Sequence, residues 1–358
     1  MRLRSPFPGF RAAGAVFMLS LLCLSPVLAQ GTRVLKYAGV NLAGAEFKSS
    51  IRPGKLFKDY TYPGESDYAY YASKGMNVVR LPFLWERLQP QAFGALDTQQ
   101  LSLLHMAVLR AKAQQLHVVL DVHNYAKYHG KRIGTAETPV AVFADLWSKL
   151  AAEFKDDDTV IFGLMNEPNG IDANAWADAA QAGLNAIRAS GARNLVLVPG
   201  TAYSGAHSWN STGYGGTSNG EALLAITDPA DRIAFEAHQY LDADYSGTSG
   251  QCRSEQIGAQ KLRSFTDWLH RHSKQGFLGE FAGGSDPVCL AALDAMLEHI
   301  HANAEVWLGW TYWAGGAWWK RDYPFNVQPD KEGNEKPQMT VLSKRAHQVT
   351  DSHRSASD

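Results

Sequence analysis

Eight short apolar runs recur along the chain, each followed by a segment with helical spacing. The runs cover residues 35–42, 77–83, 117–123, 160–165, 194–198, 233–238, 277–281 and 306–313. Helical patterns lie near 66–74, 97–115, 138–154, 173–190, 220–226, 255–274 and 288–303, with a last one near 338–349. Strands that run apolar almost continuously are buried on both faces, as a parallel sheet covered by helices requires. Eight such units predict an α/β chain folded as one (β/α)8 TIM barrel, with a doubly wound open sheet as the alternative. No Pro/Ser/Thr-rich linker interrupts the pattern, so a single domain is expected over residues 30–350, followed by a frayed polar tail at 351–358 that begins to loosen near Gln348.

The first 29 residues stand outside the pattern. Arg2, Arg4 and Arg11 precede an apolar stretch from Ala15 to Leu24, and Val27-Leu28-Ala29 offers small-residue cleavage chemistry, which reads as a signal peptide at 1–29 and predicts a secreted protein. An uncleaved membrane anchor is the alternative, though the stretch falls short of the ~20 residues a span needs. Removing the leader's three arginines takes the formal charge from −1 to −4. Without a basic stripe to neutralise phosphates, nucleic acid is excluded as a partner, and after leader removal no membrane partner and no self-association are expected. The two remaining cysteines, Cys252 and Cys289, are expected to form a disulfide in an oxidising compartment, with two unpaired core thiols as the alternative.

A barrel gathers its chemistry at the C-terminal ends of its strands. Arg80 closes the second run, His123 the third, Asn166 and Glu167 the fourth, His238 and Tyr240 the sixth, Glu280 the seventh and Trp313 the eighth. Pro168 has no N–H to continue a ladder, so the Asn166-Glu167-Pro168 turn sets an amide and an acid at a strand end. Two glutamates, Glu167 and Glu280, end strands four and seven, which lie across the mouth from one another. Paired carboxylates suit acetal hydrolysis, because the leaving oxygen needs a proton while the sugar carbon needs a nucleophile or an activated water.

Seven motifs in order carry a family resemblance: Gly39-Val40-Asn41, Val79-Arg80-Leu81-Pro82, Leu120-Asp121-Val122-His123-Asn124, Asn166-Glu167-Pro168, His238-Gln239-Tyr240, Gly279-Glu280-Phe281 and Trp310-Thr311-Tyr312-Trp313. With these the chain resembles a glycoside hydrolase family 5 endoglucanase, a cellulase. The resemblance implies Glu167 as general acid/base, Glu280 as nucleophile, supporting roles for Arg80, His123, Asn166, His238, Tyr240 and Trp313, and no cofactor. Each role has a physical basis. Arg80 can hold Glu280 ionised, or form a structural ion pair below the mouth. Asn166 can donate to a sugar 2-hydroxyl, or cap the strand end. Tyr240 can donate to Glu280, and His238 can set the protonation of Glu167 or be a satisfied core histidine. His123 can bind a sugar hydroxyl or, with Asp121, contribute to a metal site; sugar is preferred, because few other ligands stand at strand ends.

Aromatic planes accept the C–H face of a pyranose. Trp313 is the first candidate platform, then Trp209 with Tyr203 and His207 in the loop after strand five, then Trp318 and Trp319; Tyr125, Tyr128 and His129 can line the groove, while Trp147 and Trp268 sit in helical patterns and read as core. Gly216-Thr217-Ser218-Asn219-Gly220 matches a serine-hydrolase elbow but follows no apolar strand, so a flexible loop is expected. Asp156-Asp157-Asp158 reads as a solvated turn rather than a calcium loop. The expected activity is a secreted, retaining endo-β-1,4-glucanase acting on cellulose or soluble β-glucan. A mannanase, xyloglucanase or mixed-linkage glucanase is the alternative within the class, and a non-catalytic glycan-binding barrel the alternative outside it.

Overall fold

The computed structural model describes residues 34–355; the leader expected over 1–29 and the last three residues of the tail lie outside that range. Eight strands close into a barrel: β1 (Tyr37–Leu42), β2 (Val78–Phe83), β3 (His117–Val122), β4 (Val160–Gly163), β5 (Val196–Pro199), β6 (Ile233–Tyr240), β7 (Gly276–Ala282) and β8 (Trp307–Gly315). Every neighbouring pair is parallel, and β1 closes the ring on β8 with Tyr37 opposite Gly309 and Gly39 opposite Thr311. The order follows the chain, as successive right-handed βα units require.

The outer ring is α1 (Glu65–Ser73), α2 (Thr98–Ala113), α3 (Val140–Phe154), α4 (Ala173–Ala189), α5 (Ile257–His272), α6 (Pro287–Ala302) and α7 (Gln338–Ser355). Their starts follow local chemistry. The Asp172 carboxylate accepts from the Asn174 and Ala175 N–H groups to cap α4, and Asp286 caps α6 ahead of Pro287, whose fixed φ suits a first turn. Helix α3 buries Val142, Phe143, Leu146, Trp147, Leu150, Ala151 and Phe154, a stripe at three- and four-residue spacing that packs on the barrel. Trp147 and Trp268 are core, as expected.

Three local expectations are corrected. Between β5 and β6 the helix expected near 220–226 is a four-residue turn of helix, Asn219–Ala222, continued by a 3-10 turn. Ser218, expected in a flexible loop, caps that turn by accepting from Glu221 N–H, while its hydroxyl donates to the Glu221 carboxylate, so it is committed to structure. The frayed tail expected from Gln348 is helical through Ser355, because α7 continues past 349. Asp157, in the Asp156–Asp158 turn, accepts from Thr159 and pairs with Lys112 at 2.8 Å. The expected disulfide is present: Cys252, in the loop after β6, is bonded to Cys289 in the first turn of α6. Among the described residues no helix is long and apolar enough to cross a membrane.

Candidate active site

Residues two apart on a strand share a face. That alternation stacks the barrel interior in layers. At the base Val78, Val119, Ile161, Leu197, Ala234, Phe277 and Leu308, one from each of seven strands, form a closed apolar plug. Two residues further along, the inward positions turn polar: Arg80 above Val78, Asp121 above Val119, Glu236 above Ala234. Arg80 is therefore in mid-strand and fully buried, a correction to its expected place at the strand end.

Arg80 organises this layer. Its Nη1 donates to Glu280 Oε1 and to Asn41 Oδ1, both at 2.9 Å, and its Nη2 donates to Asn166 Oδ1 at 2.9 Å. Ion pairs to Asp121 at 3.1 Å and Glu236 at 3.0 Å complete its surroundings. A buried guanidinium is tolerated only with its fork engaged in this way. Gly279 makes room for the pair, since a Cβ there would lie 2.0 Å from Glu236 Oε1.

The mouth layer stands on this foundation. Tyr240 donates its hydroxyl to Glu280 Oε2 at 2.7 Å, so both oxygens of Glu280 are held. Glu167 lies past the end of β4 with φ +43°, a left-handed conformation uncommon for a residue with a side chain and frequent at functional sites. His238 joins the two acids: Nδ1 lies 2.9 Å from Glu167 Oε1 and 3.6 Å from Glu280 Oε2, while Nε2 lies 3.3 Å from Glu236. One oxygen of Glu167, one of Glu280 and a ring nitrogen of His238 all fall within 4.8 Å of one another.

The environments of the two acids push their proton affinities apart. Burial raises Glu167, and the Glu280 charge adds to that, outweighing the opposing pull of His238. Burial acts on Glu280 in the same sense, yet the His238, Arg80 and His123 charges and the Tyr240 hydroxyl overcome it and hold Glu280 below the usual carboxylate range. Burial would lower His238, but Glu280, Glu167 and Glu236 raise it to about 10, which makes it an imidazolium at neutral pH. Two carboxyls whose proton affinities are pushed apart are the arrangement that acid–base catalysis of this kind needs.

His123 sits above Asp121, which binds its Nδ1 at 2.7 Å, and its ring stacks on Trp313 at 5.5 Å between centroids. Asp121 is thus shared between Arg80 and His123. Asn166, with its oxygen fixed by Arg80, points its amide nitrogen to His123 Nε2 at 3.2 Å. Glu167, His238 and Glu280 have the spacing of a metal-binding set. The imidazolium supplies the local cation there, and it presents a proton where a metal ligand needs a lone pair.

Trp313 Nε1 donates to the Tyr323 hydroxyl at 2.9 Å, and Trp319 packs between Trp313 and Phe47. Trp318 is half-buried in the same loop. Tyr203 is half-exposed after β5, its hydroxyl accepting from Asn169 Nδ2 at 2.7 Å, and His207 is exposed beside Tyr245. Trp209, expected in the groove, is fully buried against Phe235, Phe265 and Trp268 and forms no part of the mouth. Tyr125 lies beside His123, whereas Tyr128 is buried against Trp85 and donates to the Gln89 carbonyl. The sequence reading gave no role to Asn41, which it quoted in a motif, and missed Glu236 and Tyr323. The first two face inward one alternation from motif residues it did single out, and that spacing was the available signal.

The chain matches the cellulase model, glycosyl hydrolase family 5, over residues 31–316. It is 40% identical to endo-β-1,4-glucanase B of Emericella nidulans over 82% of this chain and 86% of that protein. An endo-β-1,4-glucanase structure from Xanthomonas axonopodis pv. citri is 58% identical, with a TM-score of 0.88, covering 88% of this chain and 100% of that one. XacCel5A in complex with cellopentaose is 60% identical, with a TM-score of 0.86, over 87% and 99% of the two chains.

Proposed function

The chain belongs to the cellulases of glycosyl hydrolase family 5 and is a glycoside hydrolase, and on that premise we propose that it is a secreted, retaining endo-β-1,4-glucanase. The observation that carries the mechanism is the placement of the two acids, an oxygen of Glu167 within 4.8 Å of an oxygen of Glu280. Retaining glycosidases hold their carboxyls about 5–5.5 Å apart, and inverting ones about 6.5–9.5 Å to admit a water.

In the first step Glu280 attacks the anomeric carbon as the Glu167 proton passes to the glycosidic oxygen, so the C–O bond breaks and a glycosyl ester forms on Glu280. Arg80 and Tyr240 keep the nucleophile ionised and aimed, since each binds one of its oxygens. With the leaving chain gone, Glu167 is a carboxylate. It takes a proton from water, the water oxygen attacks the same carbon, the ester bond to Glu280 breaks to regenerate its carboxylate, and the sugar leaves with its original anomeric configuration. Proton transfer of this kind contributes about 10²–10⁴ in rate. The His238 imidazolium stays between the acids and steadies whichever of them carries charge.

Substrate choice follows the relatives, which are endo-β-1,4-glucanases, one of them solved with cellopentaose. Trp313 and His123 offer a stacked wall for a pyranose, with Trp319, Trp318 and Tyr203 further out. The disulfide and the leader expected at 1–29 support export.

Assays of wild type, Glu167→Ala and Glu280→Ala on carboxymethylcellulose, mannan and xyloglucan test this. Wild type should prefer carboxymethylcellulose. Glu280→Ala should lose on the order of 10⁴ in kcat, and azide with an activated glucoside should give it an inverted glycosyl azide. Full activity in both variants would sink the mechanism.

A further inference from the structure

Glu46 lies in the turn that leaves β1, Ala43-Gly44-Ala45-Glu46-Phe47, and the mechanism above makes no use of it. The turn is fixed from several sides. Ala45 bridges in parallel to Phe83, the last residue of β2. Arg87 donates to the carbonyls on either side of Glu46, those of Ala45 and Phe47, at 2.6 Å each. The Gly44 N–H donates to Glu46 Oε2 at 2.7 Å. Gly44 has φ +151°, and a Cβ there would meet the Thr61 carbonyl oxygen at 2.8 Å, so the turn requires glycine. The side chain is therefore positioned before any ligand arrives, which lowers the entropy lost on binding.

The carboxyl takes its hydrogen bonds from the turn alone, from Gly44 N–H and from its own backbone N–H. Glu46 is 8% exposed, and among the described residues it forms no ion pair and its Oε1 accepts no hydrogen bond from another residue. Such burial is costly for a carboxylate, and it pushes Glu46 up to about 7 even against the charge of His123. The surroundings are those of the groove. Phe47 packs on Trp319 at 4.8 Å, Trp319 on Trp313 at 6.0 Å, and Trp313 on His123 at 5.5 Å. The Glu46 charge also acts on His123 and Tyr125. An open oxygen beside an aromatic wall supplies both halves of sugar recognition, an acceptor for hydroxyls and a plane for the C–H face.

We propose that Glu46 is a specificity-determining binding residue, its Oε1 accepting a hydrogen bond from a hydroxyl of the glucosyl unit packed on the Trp313–Trp319 wall. This rests on the β-1,4-glucan reading above. The contact is made in ground state and transition state alike, so its loss raises KM and leaves kcat nearly unchanged.

Glu46→Gln separates binding from turn structure, because its amide oxygen still accepts from Gly44 N–H while the second acceptor is gone. With cellopentaose as substrate, Glu46→Gln should raise KM about tenfold, keep kcat within about twofold and keep the wild-type Tm. Calorimetry with cellopentaose on Glu280→Ala and on the Glu280→Ala/Glu46→Gln double variant should show the same weakening in Kd. Unchanged KM and Kd in Glu46→Gln, or a KM rise confined to a Glu46→Ala variant with lowered Tm, would overturn the proposal and leave Glu46 as a cap of its own turn. Wild type that leaves cellopentaose uncut would remove the β-glucanase reading and this proposal together, an outcome visible before any variant is measured.

Discussion

Glu236 illustrates how much one buried side chain can carry without touching substrate. It neutralises Arg80 at 3.0 Å and His238 at 3.3 Å from a fully buried position on β6. Replacing it with alanine takes one counter-charge from each cation while Asp121, Glu280 and Glu167 remain, and breaking a buried pair by removing one partner costs up to about 3–5 kcal/mol. Glu236→Ala should lose stability of that order in denaturant titration, and its His238 should titrate below the wild-type value of about 10 when followed by NMR. His238→Asn tests the other side of the same network. The imidazolium lowers the proton affinity of both Glu280 and Glu167, so its removal raises both. In a kcat/KM profile the acid limb reports ionisation of Glu280 and the alkaline limb deprotonation of Glu167, so both limbs should move to higher pH. A shift of one limb alone would mean that His238 acts on one acid. The residues readable from sequence were those at run ends, Glu167, His238 and Glu280, where a polar side chain interrupts an apolar strand. Glu236 was hidden inside a run that looks apolar as a whole, because the alternation that aims it inward is masked when the outward face is also buried.

At the scale of elements, the departures from expectation concentrate between β5 and β6. That loop is rich in small and polar residues, Ser208, Asn210, Ser211 and Thr212, and composition of this kind reads as surface. Here it folds as short turns, the helix expected near 220–226 is reduced to Asn219–Ala222, and Trp209 is drawn inward to fill space against Phe265 and Trp268. Tertiary packing overrides a local signal of this sort, and the packing partners lie more than fifty residues away in sequence. The disulfide is the converse case, legible because, with Cys23 set aside in the expected leader, Cys252 and Cys289 leave a single possible pairing. It ties the loop after β6 to the start of α6 across a sequence separation of 37. Closing a loop of that length restricts the unfolded chain by about 4 kcal/mol in the loop-entropy treatment. Cys289→Ser should therefore lower the denaturation midpoint of the oxidised protein by a corresponding amount, and a reducing agent should bring wild type down to the variant. Equal midpoints in oxidising conditions would show that the bond adds nothing beyond the packing around it.

For the whole molecule, the strand order was legible because eight alternating βα units have few ways to be arranged without left-handed crossovers. The register that closes β1 on β8 was not, since it depends on irregularities such as the shift between Val40 and Leu42 opposite β8. Closure brings Arg80, Asp121, Glu236 and Glu280, charged residues of four strands, to one axis, and this links overall stability to pH. His238 has a folded pKa of about 10, against about 6.5 in an unfolded chain. A group whose pKa is raised by folding stabilises the fold fully below its unfolded value and loses that contribution as pH climbs through the folded value. The His238 contribution should thus be complete below about pH 6.5 and fade as pH rises through about 10. Other groups titrate over the same range, so the informative quantity is the stability difference between wild type and His238→Asn at each pH. That difference should be largest near pH 6 and shrink steadily towards pH 10 as the imidazolium of the wild type is lost. A difference that stayed constant across the range would assign His238 to packing and hydrogen bonding, and would leave the ionised Glu280 dependent on Arg80 and Tyr240.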